Sequence, residues 1–310
     1  MTTKPHIVVV GSTNTDLVAI TPHIPAPGET VLGGAFTIVA GGKGANQAVA
    51  AARLGGRVTF IARVGDDAFG RQSLDGFQAD GIDTTYVSVT PNVASGVALI
   101  AVSETSGENS IVVAPGANAL LSPEDIEAAS AAFDTAQAIV LSLEVPLETI
   151  QRAVDMGRER NIPIILNPAP ARALPARLLA NISVLTPNEN EARQIAGMNA
   201  ANEDADLETV AAELLSTGID AAVITLGSAG SLIVTPDGFE RASSFAVKAV
   251  DTVGAGDCFT GALAVELASG RSLRDAVRFA AAAAALKVTR ASAQPGIPTR
   301  AEVVEFIRRH

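Results

Sequence analysis

Strand-like and helix-like segments alternate along these 310 residues as in a doubly wound, mostly parallel α/β sheet flanked by helices. Three observations predict that fold. Short, near-continuous aliphatic and β-branched runs recur, as expected of strands buried on both faces. Between them lie segments with helical spacing, several opened by Ser-Pro or Asn-Glu and closed by Gly or Asn. The apolar runs end in glycine or polar residues, and ligands in open α/β sheets bind beyond the carboxyl ends of strands.

In chain order, HIVVVG (6–11), VTFIARVG (58–65), AIVLSLEV (138–145), IPIILNP (162–168), ISVLTPN (182–188) and AAVITLG (221–227) are the expected parallel strands. The helices between them include ANQAVAAARLG, PEDIEAASAAF, PLETIQRAVDMGRERN, NENEARQIAG and DLETVAAELLSTG. Two segments break the alternation. TVLGGAFTIVAGG (30–42) and SGVALIAVSETSGENSIVVAPG (95–116) read as antiparallel strands, the second a hairpin turning near Ser106-Gly107-Glu108-Asn109. Inserted segments of about 15–40 and 95–116 would make a small antiparallel β lid over the carboxyl edge of the main sheet. An antiparallel extension of the main sheet is the other arrangement they allow. With no repeat, low-complexity linker or break in composition, residues 1–310 read as a single domain.

Composition narrows the function. Hydrophobic residues are 48% of the chain, enough for a large core and against wholesale disorder. That core is aliphatic, because there is no Trp and only one Tyr. A net charge of −11 argues against a nucleic-acid or anionic-membrane partner. It leaves open an anionic small ligand held by backbone N–H groups. Cys258 is the sole cysteine, so there is no intramolecular disulfide and no Cys-cluster zinc site. His6, His23 and His310 are scattered, against a His-based triad or a His-rich metal site. The five-residue apolar run near the N-terminus is too short for a signal-peptide core, and AAAAAAL (280–286) is far too short for a membrane span. A cytoplasmic location is expected.

The chemistry concentrates at strand ends. The stretch DTVGAGDCFTGALA sets Gly254, Ala255, Gly256 and Asp257 at the mouth of a helical pattern. Small residues let helix N-terminal amides approach an anion, and the helix dipole favours negative charge there. On this reading the loop holds a phosphate in transfer, and Asp257, an exposed acid beside it, takes a proton from the attacking hydroxyl. A glycine-rich turn with Asp257 as an ordinary first-turn residue fits the same letters. Phe259 stands at the third glycine position of the dinucleotide fingerprint, and Gly44 follows Lys43 where a Walker A loop needs Ser or Thr. A second glycine-rich stretch, AGGKGANQAVAAARLG (40–55), opens a helix with Gly42, Lys43, Asn46 and Gln47. It reads as a polyol site, with Asn46 and the loop amides on hydroxyls and Lys43 near transferred negative charge, or as a tight strand-to-helix turn. Asn14 and Asp16 lie two apart, so in an extended segment they face one side. A carboxylate there can accept two vicinal hydroxyls, although Asx residues after a strand also form turns. Glu144 is a charge in an apolar strand, costly unless paired or at the strand's end. The turn in ITLGSAGSLIV (224–234) puts amides where a nucleotide phosphate can reach them, or is a plain hairpin. Asn188 and Glu191 fit nucleotide chemistry or a capping box. Cys258 is expected to pack inward.

Taken in order, GSTNTD, PGET, GGKGANQA, LNPAPA, TPNENEA, ITLGSAG and DTVGAGD resemble the ribokinase (phosphofructokinase-B type) family of sugar kinases, from Gly11 to Pro295. The resemblance implies a ribokinase-like fold with a β lid that pairs with another subunit's lid in a homodimer. It implies ATP-dependent phosphorylation of the 5-hydroxyl of D-ribose. By matching position, Asp257 would be the catalytic base and the Gly254–Ala255–Gly256 amides an anion hole. Asn14, Asp16, Gly42, Lys43, Asn46 and Glu144 would contact the sugar. Asn188, Thr225, Gly227, Ser228, Gly230 and the Gly256 amide would serve ATP, with Glu191 ordering Mg²⁺ and its waters. Asp251 and the Val253 carbonyl, with Lys287, Arg290 and Ser292 in the 287–296 loop, would match an activating potassium (K⁺) site. Two departures stand out. Ala281 replaces a polar residue, commonly His, near the nucleotide, and Gly296 replaces a serine often seen at the cation loop.

The residues fit a neutral sugar. A phosphosugar needs an Arg or Lys cluster for its second phosphate, and only Lys43 lies within these motifs. A nucleoside calls for an aromatic platform, which 4% aromatics supply poorly. A kinase of another small polyol or of a nucleoside is the alternative. A non-catalytic sugar sensor is a third reading, and the retained Asp257, GAG loop and Asn188/Glu191 pair oppose it.

Overall fold

The computed structural model describes residues 4–198 and 205–310. The strands are β1 (His6–Val10), β2 (Asn14–Thr21), β3 (Phe36–Gly41), β4 (Arg57–Gly65), β5 (Val87–Thr90), β6 (Gly96–Ser103), β7 (Asn109–Ala114), β8 (Ala138–Ser142), β9 (Ile164–Asn167), β10 (Val184–Leu185), β11 (Ala222–Thr225), β12 (Ser231–Thr235) and β13 (Gly238–Ala242). The helices are α1 (Lys43–Arg53), α2 (Ala68–Ala79), α3 (Pro123–Ala128), α4 (Ser130–Phe133), α5 (Leu147–Glu159), α6 (Ala176–Leu179), α7 (Glu189–Ile195), α8 (Leu207–Ser216), α9 (Ala255–Ala268), α10 (Leu273–Val288), α11 (Ala293–Gly296) and α12 (Arg300–Arg309).

Among the described residues nine strands form the main sheet, in the order β13-β12-β11-β10-β9-β8-β1-β4-β5. Every pair from β11 to β5 is parallel, and only the β11–β12 and β12–β13 pairs are antiparallel. The strands expected as near-continuous apolar runs are fully buried, as in β1, β8 and β9. Each alternate residue faces a different helical layer. Ile7 and Val9 pack with α1, α9, α10 and α12, whereas Val8 and Val10 pack with α3, α5 and α8. The expected caps are in place: Ser122 closes a capping box with Asp125 ahead of α3, and Pro123 occupies its first turn.

The inserted segments form a separate four-stranded sheet, β3-β2-β6-β7, and do not extend the main one. Two details differ from the sequence reading. The outer pairs are antiparallel as expected, but the central pair β2–β6 is parallel. Residues 30–35 are not strand; β3 starts at Phe36, after Gly34 donates its amide to the Ile20 carbonyl. Register splits the sheet into two faces. Asp16 aligns with Val39 and Ala98 on one face, while Leu17, Ile38, Leu99 and Val112 make an apolar row on the other. Ile38, Leu99 and Val112 in that row are exposed, as is Phe36 beside it.

Candidate active site

The strand order reverses at β1, which lies between β8 and β4, and the crevice beyond such a reversal is where ligands bind in this architecture. The polar residues singled out in the sequence converge there. Asn14 and Asp16 leave β1 into the small sheet, and Glu144 lies two residues past the end of β8, which relieves the cost of a charge inside an apolar strand. Helix α1 is pressed against this crossing because Gly42 and Gly44 at its entry have no side chains. A Cβ on Gly42, whose φ is +88°, would come within 2.6 Å of the Asn14 amide, and one on Gly44 within 2.6 Å of the Ser12 amide. That approach lets the Lys43 amide donate to Glu144 Oε2 at 3.0 Å, and the Ser12 hydroxyl donates to the same oxygen.

Asp257 sits in the first turn of α9, behind Gly254 in the left-handed region. It is buried at 6% exposure, a correction to the exposed acid expected from sequence. The cause is helix packing. Gly261 brings α9 against α1 so closely that a Cβ there would meet Ala50 Cβ and the Gln47 carbonyl oxygen at 2.7 Å. At this separation Asn46 Nδ2 donates to Asp257 Oδ2 at 2.9 Å and Gln47 Nε2 donates to Oδ1 at 3.1 Å. The amide oxygens Asn46 Oδ1 and Gln47 Oε1 have no partner among the described residues. A Cβ on Gly256 would meet open space, so the GAG loop borders the crevice.

Charge in this crevice is strongly coupled. Burial, with the Glu144 and Asp257 carboxylates nearby, pushes the Asp16 carboxyl up to about 6. Burial also raises Asp257, opposed by the Lys43 charge and the Asn46 and Gln47 hydrogen bonds and reinforced by Glu144. Burial disfavours the Lys43 ammonium, but Asp257, Glu144 and Glu191 together outweigh it, so its pKa lies above the ordinary lysine value. A cation held among carboxylates, beside bare amides, suits an incoming polyphosphate. Cys258 faces inward with no exposure, and burial pushes its thiol up to about 12, which removes thiolate chemistry.

The nucleotide candidates gather at the ends of β10 and β11. Asn188 caps α7 by accepting from the Glu191 amide at 2.9 Å, and Glu191 Oε2 accepts from the Asn188 amide at 2.9 Å. The capping role weighed from sequence is therefore present, and it orients both side chains. Asn188 also bridges to Thr225 in parallel register. Gly227 and Gly230 take φ of +57° and +94°, turning the chain from β11 into β12 with Ser228 between them. Ala281 lies half-buried on α10 with no polar group to offer.

Of the residues expected around a monovalent cation, Asp251, Val253 and Ser292 lie together. Asp251 Oδ1 accepts from the Val253 amide at 2.9 Å and Oδ2 from the Ser292 amide at 2.7 Å. Lys287 is fully buried, and its Nζ donates to the Asp251 carbonyl at 2.9 Å. The Arg290 guanidinium turns outward to Glu302 at 2.7 Å. Sequence reasoning passed over Asn118 and gave Gln47 no role. Asn118 donates to Asn14 Oδ1 at 2.8 Å and accepts from the Thr13 amide at 2.9 Å, fixing the start of β2. Nothing in its local sequence, PGANAL, marks it. Gln47 was legible only as a neighbour of Asn46.

Comparison with known proteins identifies the family. Residues 4–300 match the pfkB family of carbohydrate kinases. The chain is 40% identical over 301 residues to a ribokinase of Haemophilus influenzae, covering 97% of this chain and 98% of that one. It is 39% identical over 302 residues to a deoxyribokinase of Salmonella typhi, with 97% and 98% covered. The structure of Arabidopsis thaliana ribokinase complexed with ribose and ATP superposes with a TM-score of 0.89 at 32% identity, covering 98% of this chain and 99% of that one. With the crevice at the sheet's reversal, the glycine-led α1 and the buried acid at the mouth of α9, the chain belongs to the pfkB family of carbohydrate kinases.

Proposed function

We propose that the protein transfers the γ-phosphoryl group of ATP to the 5-hydroxyl of D-ribose. The observation that carries the reading is Asp257, a buried carboxylate whose two oxygens are held by Asn46 and Gln47 beside the amides of Gly254–Gly256. Its raised pKa brings its basicity toward neutral pH, where a general base is most effective. In the step, the proton of the sugar's 5-hydroxyl passes to Asp257 as that oxygen bonds to the γ-phosphorus. The bond from the γ-phosphorus to the β–γ bridging oxygen breaks, and ADP leaves. Phosphoryl transfer is mostly positioning and charge stabilisation, so the amides of the GAG loop and the Lys43 ammonium meet the equatorial oxygens. Asp16 and Glu144, with Asn14 and Asn46, accept and donate to the sugar's other hydroxyls. Asn188, Thr225, Gly227, Ser228 and Gly230 hold the nucleotide.

Among the described residues no group of three or more carboxylate, His or Cys ligands gathers to bind a metal. Mg²⁺ would be carried on the ATP phosphates with Glu191 at its water shell, since Mg²⁺ keeps several waters and takes few protein ligands. Its chemistry there is to neutralise phosphate charge. A second substrate, 2-deoxyribose, has support of its own from the 39% identity to a deoxyribokinase. Coupled ADP detection over ribose, deoxyribose, other small polyols and nucleosides tests the reading. Ribose is expected to give the highest kcat/KM, and an order-of-magnitude advantage for another substrate would overturn the choice.

We also assign the β3-β2-β6-β7 sheet as a lid that pairs with a second copy. Its support is the exposed row Ile38, Leu99 and Val112, which faces away from Asp16 and has the character of an interaction surface. Leu99→Glu is expected to convert a dimer to a monomer in sedimentation. An unchanged dimer would move the interface elsewhere. A cytoplasmic setting suits an ATP-dependent enzyme, and among the described residues no helix is long and apolar enough to cross a membrane.

A further inference from the structure

The family resemblance implies a potassium ion beside the GAG loop, and the residues present do not fit it. Gly296 offers no side-chain oxygen, and an ammonium is already seated on the Asp251 carbonyl. That ammonium is Lys287 Nζ. Lysine is almost never fully buried without a partner, and among the described residues Lys287 forms no ion pair. Its charge is met by a carbonyl, the kind of ligand that an alkali cation takes.

We propose that the Lys287 ammonium is a tethered monovalent cation that takes the place of the activating potassium, so that the anion-hole loop of this kinase is set without a diffusible ion. Two further observations support it. Gly296 makes the room: a Cβ there would lie 3.3 Å from Lys287 Cε, so the position without a side-chain ligand is the one the lysine stem passes. The loop around the ammonium also bears directly on the anion hole. A Cβ on Gly254 would lie 3.2 Å from Ala293 Cβ, and Ser292, held to Asp251, adopts a strained φ of +67°. Arg53 braces the same loop from below by donating to the Gln294 carbonyl at 2.6 Å. The ammonium ties down the Asp251 carbonyl, three residues before Gly254, and through it the start of α9.

The inference rests on the site being a phosphoryl-transfer site, and its test separates the two. Wild-type protein and Lys287→Ala are compared in KCl and in N-methyl-D-glucamine chloride at equal ionic strength, by thermal midpoint and by sugar-dependent ADP formation. The wild type is expected to have the same midpoint in both salts and rates within about twofold, a difference too small for a bound activator. Lys287→Ala is expected to melt lower in N-methyl-D-glucamine chloride and to gain midpoint specifically in KCl. Its rate should fall by about 10²-fold without potassium, the scale of a displaced catalytic group, and recover with it. Lys287→Met, which fills the space with no charge, should lose rate without recovery. A wild-type rate or midpoint that rises saturably with KCl would overturn the proposal, and this arm needs no variant to fold. So would a Lys287→Ala protein with wild-type rate and no response to KCl. A wild type that phosphorylates no sugar would sink the kinase reading alone, because the midpoints require no turnover.

Discussion

Replacing Asp16 by asparagine should stabilise the ligand-free protein and cripple it as a sugar binder. The Asp16 carboxyl is raised from 3.8 to about 6 by burial and by the Glu144 and Asp257 charges. Between those values the folded chain holds a proton that the unfolded chain has released, so stability falls as pH rises through the window and the loss is complete above about pH 6. A shift of about two units corresponds to about 3 kcal/mol of destabilisation at pH 8. Asparagine keeps the shape and removes the charge. At about 2 °C per kcal/mol for a chain of this length, Asp16→Asn should melt about 4–6 °C above wild type at pH 8. At pH 5 wild type recovers about 1.4 kcal/mol by protonating Asp16, so the advantage should shrink by roughly half. The assay is scanning calorimetry of both proteins at the two pH values without ligand. An asparagine variant that melts below wild type at pH 8, or an advantage independent of pH, would refute this reasoning. With Asp16 in its proposed role as acceptor of the sugar's hydroxyls, the wild-type KM for sugar should rise below about pH 6, as Asp16 is protonated.

Two further expectations follow from the α1–α9 contact. Gly261→Val inserts a branched side chain where even a Cβ would lie 2.7 Å from Ala50, so it should destabilise by about 1–3 kcal/mol in urea melts and lower kcat by separating Asn46 and Gln47 from Asp257. Stability and kcat equal to wild type would mean that the contact does not set the site. Gln47→Leu removes one hydrogen bond that holds Asp257 ionised, so the acid limb of kcat/KM against pH should move to higher pH. An unmoved limb would assign that limb to another group.

Much of this architecture is legible in the letters. The fully buried strands β1, β8 and β9 write their burial as unbroken aliphatic runs, and α7 announces its start through the Asn188–Glu191 capping box. The glycines at 42, 44 and 254 mark close backbone approach. What the letters do not carry is contact between distant segments. The burial of Asp257 depends on Gly261 meeting Ala50, about two hundred residues away in the chain, and a local reading leaves that acid exposed. The parallel β2–β6 pair is hidden because strand direction is fixed by the route of the chain, and alternation says nothing of it. Asn118 has no local signature because its role is to reach back to Thr13 and Asn14. Lys287 sits at the end of an alanine-rich helix and reads as a solvated last-turn lysine. Only the fold reveals that Asp251 and Gly296 close around it.

The buried acid at the mouth of α9 is the centre of the account, and a single-turnover measurement on Asp257→Asn tests it most directly. With ribose and ATP pre-bound at saturation, phosphoryl transfer in this variant should be slower by about 10²–10⁴-fold, the usual contribution of a general base. Affinities for both ligands should stay within a few-fold, because the amide preserves the shape of the carboxylate. Transfer at the parental rate would contradict the account, and the proton would have to leave by another route.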